Sequence, residues 1–101
     1  MENHYIMTNK ISKENIWHHI GYIEISRARK ETLKSIGSED YKLPSQISKE
    51  TKLTSSQVSN ALKSLKDRKL VTCLNESSKK GRLYKCTNLG LYVLENIKNW
   101  K

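Results

Sequence analysis

Between Thr54 and Leu70 the chain reads T-S-S-Q-V-S-N-A-L-K-S-L-K-D-R-K-L, and this stretch constrains the fold more than any other. Val58, Ala61, Leu62, Leu65 and Leu70, with the stem of Lys69, recur at three- and four-residue steps, so they share one side of a helix. The spacing predicts a single amphipathic helix of about four turns. Its other side carries Ser55, Ser56, Gln57, Ser59, Asn60, Lys63 and Ser64, with only Asp67 as an acid. A solvated face ordinarily mixes Glu and Lys at i,i+4 spacing. A face of short hydrogen-bonding groups suits a DNA groove, where acids would meet phosphate and bulky apolar groups would meet polar base edges.

The flanking segments supply the rest of a motif. Pro44 fits the first turn of a short helix over 44–51, because its missing N–H has no partner to lose there, and Ile47 is its inward residue. Lys52-Leu53-Thr54 is a three-residue turn, with Leu53 pointing back to the core and Thr54 or Ser55 capping the long helix. A short helix, a tight turn and a longer amphipathic helix make a helix-turn-helix. Upstream, Ser26 is an N-cap for a helix carrying Ala28, Leu33 and Ile36, which Gly37 ends. Gly21 to Ile25 alternates and reads as briefly extended, and a weak helix start at Ser12 would place Ile11, Ile16, Trp17 and Ile20 along one helix. Downstream the period changes: Val71–Leu74 and Leu83–Cys86 are short strands around N-E-S-S-K-K-G-R, a β-hairpin with a basic tip. Thr87 caps a last helix.

The chain has 101 residues, enough for one domain, and 36% of them are hydrophobic, so the core is small. Its net charge is +9, and the excess is local: eleven Lys/Arg and three acids fall between Lys42 and Lys85, a net of +8 in the block that holds the long helix. Such segregation points to a polyanion partner. No apolar run could cross a bilayer and no signal peptide is legible, so the cytoplasm, with association to the nucleoid, is the expected location.

The string L-P-S-Q-I-S-K-E-T-K-L-T-S-S-Q-V-S-N-A-L-K-S-L-K-D-R-K-L-V, followed by K-K-G-R-L-Y-K-C-T-N-L-G, resembles the winged helix-turn-helix domains of small prokaryotic transcription regulators. The resemblance is closest to compact archaeal members of the broad MarR/ArsR-like group and covers about Ser26 to Leu94. It implies a mainly α (α+β) fold: a three-helix core, a two-stranded β-hairpin wing and a C-terminal helix. The segments are then 1–25, a possible helix or dimerisation arm; 26–87, the DNA-binding unit; and 88–101, the C-terminal helix. It further implies a double-stranded DNA partner, usually bound by a dimer. Ser55, Ser56, Gln57, Ser59, Asn60 and Lys63 fall on recognition-helix positions, Lys79, Lys80 and Arg82 on the wing, and Ser45 at a helix start where backbone N–H groups can hold a phosphate.

Three departures from that pattern carry expectations. Lys52 stands where relatives often have Gly, which predicts a left-handed residue in the turn at a cost of roughly 1–2 kcal/mol. Asn60 replaces a common Arg or His and favours adenine through N6 and N7. Leu89 and Leu91, with Tyr92, Val93, Leu94, Ile97 and Trp100, make the last helix apolar around much of its circumference. The surplus predicts a homodimer through this helix, with Trp17 of the N-terminal segment as a further contact.

Other chemistries find little support. Cys73 and Cys86 read as small buried thiols, with a cross-strand disulfide or redox switch as the alternatives. His4, His18 and His19 fit no metal site, since adjacent histidines on a helix point about 100° apart. No phosphate loop, HExxH or framed acid pair suggests an enzyme, and no cofactor or small-molecule effector pocket is legible. The functional expectation is a sequence-specific regulator, most simply a repressor. Its alternatives are a non-specific architectural DNA coater and a winged helix used for protein–protein contact.

Overall fold

The computed structural model describes residues 16–98. Five helices and one small sheet appear in the order α1 (16–24), α2 (Arg27–Ile36), α3 (Pro44–Thr51), α4 (Ser55–Asp67), β1 (Val71–Cys73), β2 (Tyr84–Cys86) and α5 (Asn88–Lys98). This is the mainly α winged helix-turn-helix architecture expected above. The proposed start of α1 at Ser12, Ile11, His4 and Trp100 lie outside the described residues.

One core joins every element. Ile16, Ile20 and Ile23 of α1 meet Leu33 and Ile36 of α2, Ile47 of α3, Val58, Leu62 and Leu65 of α4, and Val93, Leu94 and Ile97 of α5. The first three residues explain a correction. Residues 21–25 are not extended, because the helix runs through Glu24. Ile16, Ile20 and Ile23 stand at i, i+4 and i+7, and burying all three on one face outweighs the short alternation of G-Y-I-E-I. The ring of Tyr22 is clamped between two guanidiniums, Arg29 of α2 at 3.8 Å and Arg68 at the end of α4 at 3.7 Å. Such stacking ties α1 to the far end of the long helix.

The helix boundaries follow their local signals. Ser26 caps α2, its hydroxyl accepting from the Arg29 N–H, and Gly37 ends the helix at φ 53°. Lys52 is left-handed at φ 65°, as its place in the turn requires. Around it, the Ser48 hydroxyl donates to the Leu53 carbonyl at 2.6 Å and the Thr51 hydroxyl to the Ile47 carbonyl at 2.7 Å. At its other end α4 stops at Asp67, three residues short of the expected Leu70. Lys69 turns left-handed at φ 63°, and the Leu70 N–H reaches back to the Leu65 carbonyl at 2.9 Å. Leu70 is fully buried, so it mimics helical spacing while reaching the core from the turn.

The sheet pairs Val71 with Cys86, Thr72 with Lys85 and Cys73 with Tyr84. Both thiols face inward and are free, but they lie two positions apart along the ladder rather than opposite one another. Burial pushes the Cys86 thiol up to about 12, which leaves almost no thiolate to react. Lys42 adds an isolated bridge to β2, exchanging both backbone hydrogen bonds with Tyr84 at 2.9 Å.

Thr32, in the middle of α2, is fully buried and its hydroxyl has no partner. A buried hydroxyl without a hydrogen bond costs about 1–3 kcal/mol. Thr32→Val keeps the shape and removes that cost, so urea denaturation is expected to show a gain of about 1 kcal/mol. A loss would mean that the hydroxyl is bonded in solution.

Candidate nucleic-acid interface

Thr54 and Gln57 set the start of α4. The Thr54 hydroxyl accepts from the Gln57 N–H at 3.1 Å, and the Gln57 side-chain Oε1 accepts from the Thr54 N–H at 2.9 Å. This reciprocal box satisfies two donors at the helix end. It also occupies the amide oxygen of Gln57, a residue assigned above to base contact. From that fixed start, helical geometry aligns exposed Ser56, Asn60 and Lys63 at i, i+4 and i+7 as the outer crest of α4. Exposed Asp67 continues the same line. Asp67 is the last residue of α4 and its single acid, so the acid-free part runs from Ser55 to Lys66.

Ser55 and Ser59 lean from this crest toward the wing. There a groove of about 820 Å³ opens between α4, the start of α3 and the hairpin. Its walls bring together seven of the ten expected contact residues: Ser45, Ser55, Ser59, Lys63, Lys79, Lys80 and Arg82. Leu43, Pro44, Leu62, Lys66, Gly81 and Tyr84 complete the lining. Ser56, Gln57 and Asn60 lie outside the groove, on the exposed side of α4.

The wing loop is built around Asn75. Its side-chain Oδ1 accepts from the Leu83 N–H at 2.9 Å, and its side-chain amide N–H donates to the Gly81 carbonyl at 3.0 Å. Gly81 takes φ 64°, and Arg82 Nε donates to the Ser78 carbonyl at 2.6 Å. Arg82 therefore also shapes the loop, whereas Lys79 and Lys80 project from it exposed. Asn75 was not singled out from the sequence. Its place at the first turn of the hairpin, where Asn commonly bonds the backbone, was the available signal.

The basic block is less uniform than its composition. Lys42 is buried and bonded to Glu50 at 2.7 Å, Lys66 is bonded to Glu76 at 2.9 Å, and Lys85 lies 4.0 Å from Asp40. Hydrogen bonds from Lys42 and then Ser35 hold the Glu50 carboxyl below its usual range, and the bond from Lys66 does the same for Glu76. Among the described residues, Lys63, Lys79, Lys80 and Arg82 take part in no ion pair. The cations on the groove walls thus remain largely available, while several others are internally matched.

Of the residues expected at a dimer contact, Trp17 is 66% exposed and Tyr92 44%. Leu89 and Leu91 are partly buried against the core, and Leu94 is buried within it. Leu94 thus packs inside its own domain, because it shares the inward face of α5 with Val93 and Ile97.

A helix-turn-helix whose second helix stands beside a β-hairpin defines the winged-helix class of protein folds. Solved structures share it. TubR from Bacillus thuringiensis serovar israelensis, bound to 24 bp of tubC, superposes at a TM-score of 0.72 with 13% identity over 85% of this chain and 95% of its own. S. aureus MepR in a complex with DNA gives 0.65 at 18% identity over 98% of this chain and 82% of its own. A MarR/EmrR family transcriptional regulator from Acinetobacter sp. ADP1 gives 0.67 at 17% identity, covering 98% and 70%. No family model and no curated protein matches the sequence. The fold is therefore shared at a sequence distance where side-chain roles must be argued from this chain alone.

Proposed function

We propose that the chain is a sequence-specific regulator of transcription that binds double-stranded DNA as a homodimer. The observation that carries this reading is the acid-free stretch of α4 from Ser55 to Lys66, standing beside a groove lined by Lys63, Lys79, Lys80 and Arg82. Neighbours of the same fold give support, since TubR and MepR are both described bound to DNA. In this reading the crest of α4 enters the major groove and the wing follows the backbone or minor groove. Ser45, at the start of α3, offers a hydroxyl and backbone N–H groups to a phosphate. Repression by occluding a promoter in the cytoplasm is the simplest mechanism. Among the described residues no helix is long and apolar enough to cross a membrane.

Asn60 is the residue best placed to choose a base. It is exposed on the crest, and its amide can bond adenine at N6 and N7 together. Asn60→Ala is expected to cost about 1–3 kcal/mol on the preferred site and to relax base preference at one position. Selecting bound duplexes from random DNA, with wild type and variant side by side, reads both effects. An unchanged consensus would remove Asn60 from base recognition.

One observation favours a non-specific coater as the second reading: with the Gln57 oxygen occupied, Asn60 is left as the main amide on a crest of serines and lysine. Footprinting separates the two, because a regulator protects a spaced pair of half-sites first and a coater protects the whole duplex together. The dimer is proposed to form through apolar groups on α1 and α5, chiefly exposed Trp17 and Tyr92 with half-buried Leu91. A monomeric mass by light scattering at micromolar concentration would contradict it.

A further inference from the structure

Lys42 does not line the groove, yet it bonds two of the elements that build it, α3 and β2, and ties them to α2. Its side chain is 6% exposed, and its ammonium donates to the Ser35 carbonyl at 2.6 Å and to Glu50 Oε1 at 2.7 Å. Glu39 stands 3.7 Å away. Ser35 is in the last turn of α2 and Glu50 in the last turn of α3. The Lys42 backbone meanwhile pairs in both directions with Tyr84, the β2 residue that contributes to the groove lining.

A buried ammonium is costly unless its donors are matched, and an apolar residue commonly packs as well in such a place. What an ion-paired lysine adds over an apolar residue is direction: its bonds fix the relative orientation of the groups they join. Here the ammonium joins the last turn of α2 to the last turn of α3, and so fixes the Lys42 backbone, which in turn carries the wing strand at Tyr84.

We propose that Lys42 is a positioning residue for DNA binding, a role that rests on the nucleic-acid reading above. It sets the angle between the α3–α4 head and the wing, so that Ser45 and Lys63 on one wall and Lys79 and Lys80 on the other grip the same stretch of duplex. Because its ammonium is buried and paired with Glu50, Lys42 neutralises no phosphate itself. It differs in this from the groove cations, each of which contributes to the salt dependence of binding. Its influence travels through the wing and depends on the wing contacts being present.

The test is a double-mutant cycle on binding to a short mixed-sequence duplex, read by fluorescence anisotropy over a range of salt. Wild type, Lys42→Met, the Lys79→Ala/Lys80→Ala pair and their combination are compared at a temperature where circular dichroism shows all four folded. Lys42→Met is expected to weaken binding by about tenfold with an unchanged salt slope, and by less than about twofold once the wing lysines are gone. Glu50→Ala serves as the second variant. Glu50 is exposed, so the chain is expected to fold without it, and its loss is expected to give the same pattern. Equal penalties in both backgrounds, a slope flattened by about one unit, or no loss of affinity would overturn the role. Absence of wild-type binding at low salt would overturn the nucleic-acid reading and this role with it.

Discussion

Gly90→Ala is expected to destabilise the fold by about 3 kcal/mol and to lower Tm by roughly 12–24 °C. The reason is a weld between α5 and the end of α4. The Thr87 hydroxyl donates to the Lys69 carbonyl at 2.7 Å and accepts from the Gly90 N–H at 3.0 Å, while the Thr87 N–H donates to the Leu70 carbonyl at 3.0 Å. A Cβ on Gly90 would lie 2.1 Å from the Leu70 carbonyl oxygen and 3.1 Å from its carbon. Both atoms are backbone in a buried turn, so the first turn of α5 must lift away. That movement strains the bonds of Thr87 and opens the core at Val93 and Ile97. Gly21 provides the internal control. It is helical and exposed, and a Cβ there meets nothing within 4 Å. Gly21→Ala is expected to gain up to about 1 kcal/mol, because alanine loses less backbone entropy in a helix. Thermal denaturation of the two variants should move in opposite directions; a Gly90→Ala protein as stable as wild type would mean that the weld is absent in solution.

Replacing Lys79 and Lys80 together by alanine is the substitution expected to change binding most. Both are exposed at the wing tip, both line the groove, and neither takes part in an ion pair among the described residues. Their charge is therefore available to phosphate. Each phosphate contact contributes about 0.9 to the slope of log K against log salt, so the pair should flatten that slope by roughly two units. Affinity should fall on every duplex to a similar extent, by roughly ten- to a hundredfold near physiological salt. The preferred sequence should not change, since contacts to phosphate position the protein without reading bases. A variant with altered preference and an intact slope would assign base reading to the wing and contradict the division of labour proposed for α4.

Much of the fold was legible because its signals are local. Pro44, the Ser26 and Thr54 caps, Gly37 and the step-of-three-and-four pattern from Val58 to Leu65 each act within a few residues. The helices they predict stand within a few residues of the expected places. Misreadings came where a short window supports two periods. G-Y-I-E-I alternates, but Ile23 belongs with Ile16 and Ile20, and only the isoleucines upstream reveal that. Leu70 continues a helical spacing although the chain has already turned at Lys69.

The remaining gaps are non-local. Lys42 pairs with Tyr84, 42 positions further on, and nothing near Tyr41-Lys42-Leu43 announces it, beyond the tendency of a residue before proline to be extended. The resemblance to regulators included Gly90, but the physical demand on it comes from the Leu70 carbonyl, a contact no spacing reveals. For the candidate site, residue type suggests exposure for Ser56, Asn60, Lys63, Lys79 and Lys80, and these residues are exposed. It could not tell that the Gln57 oxygen closes a capping box, or that Lys42 and Lys66 are matched to Glu50 and Glu76. Charge counted along a chain does not say which cations already have partners.

The crest of α4 and the cations of the adjoining groove are proposed to bind duplex DNA together. The most direct measurement is the affinity of the chain for a short duplex as a function of salt. With Lys63, Lys79, Lys80 and Arg82 on the groove walls, binding should be tight at low salt, and log K should fall against log salt with a slope of about −4 or steeper. No binding at low salt, or an affinity indifferent to salt, would contradict the account.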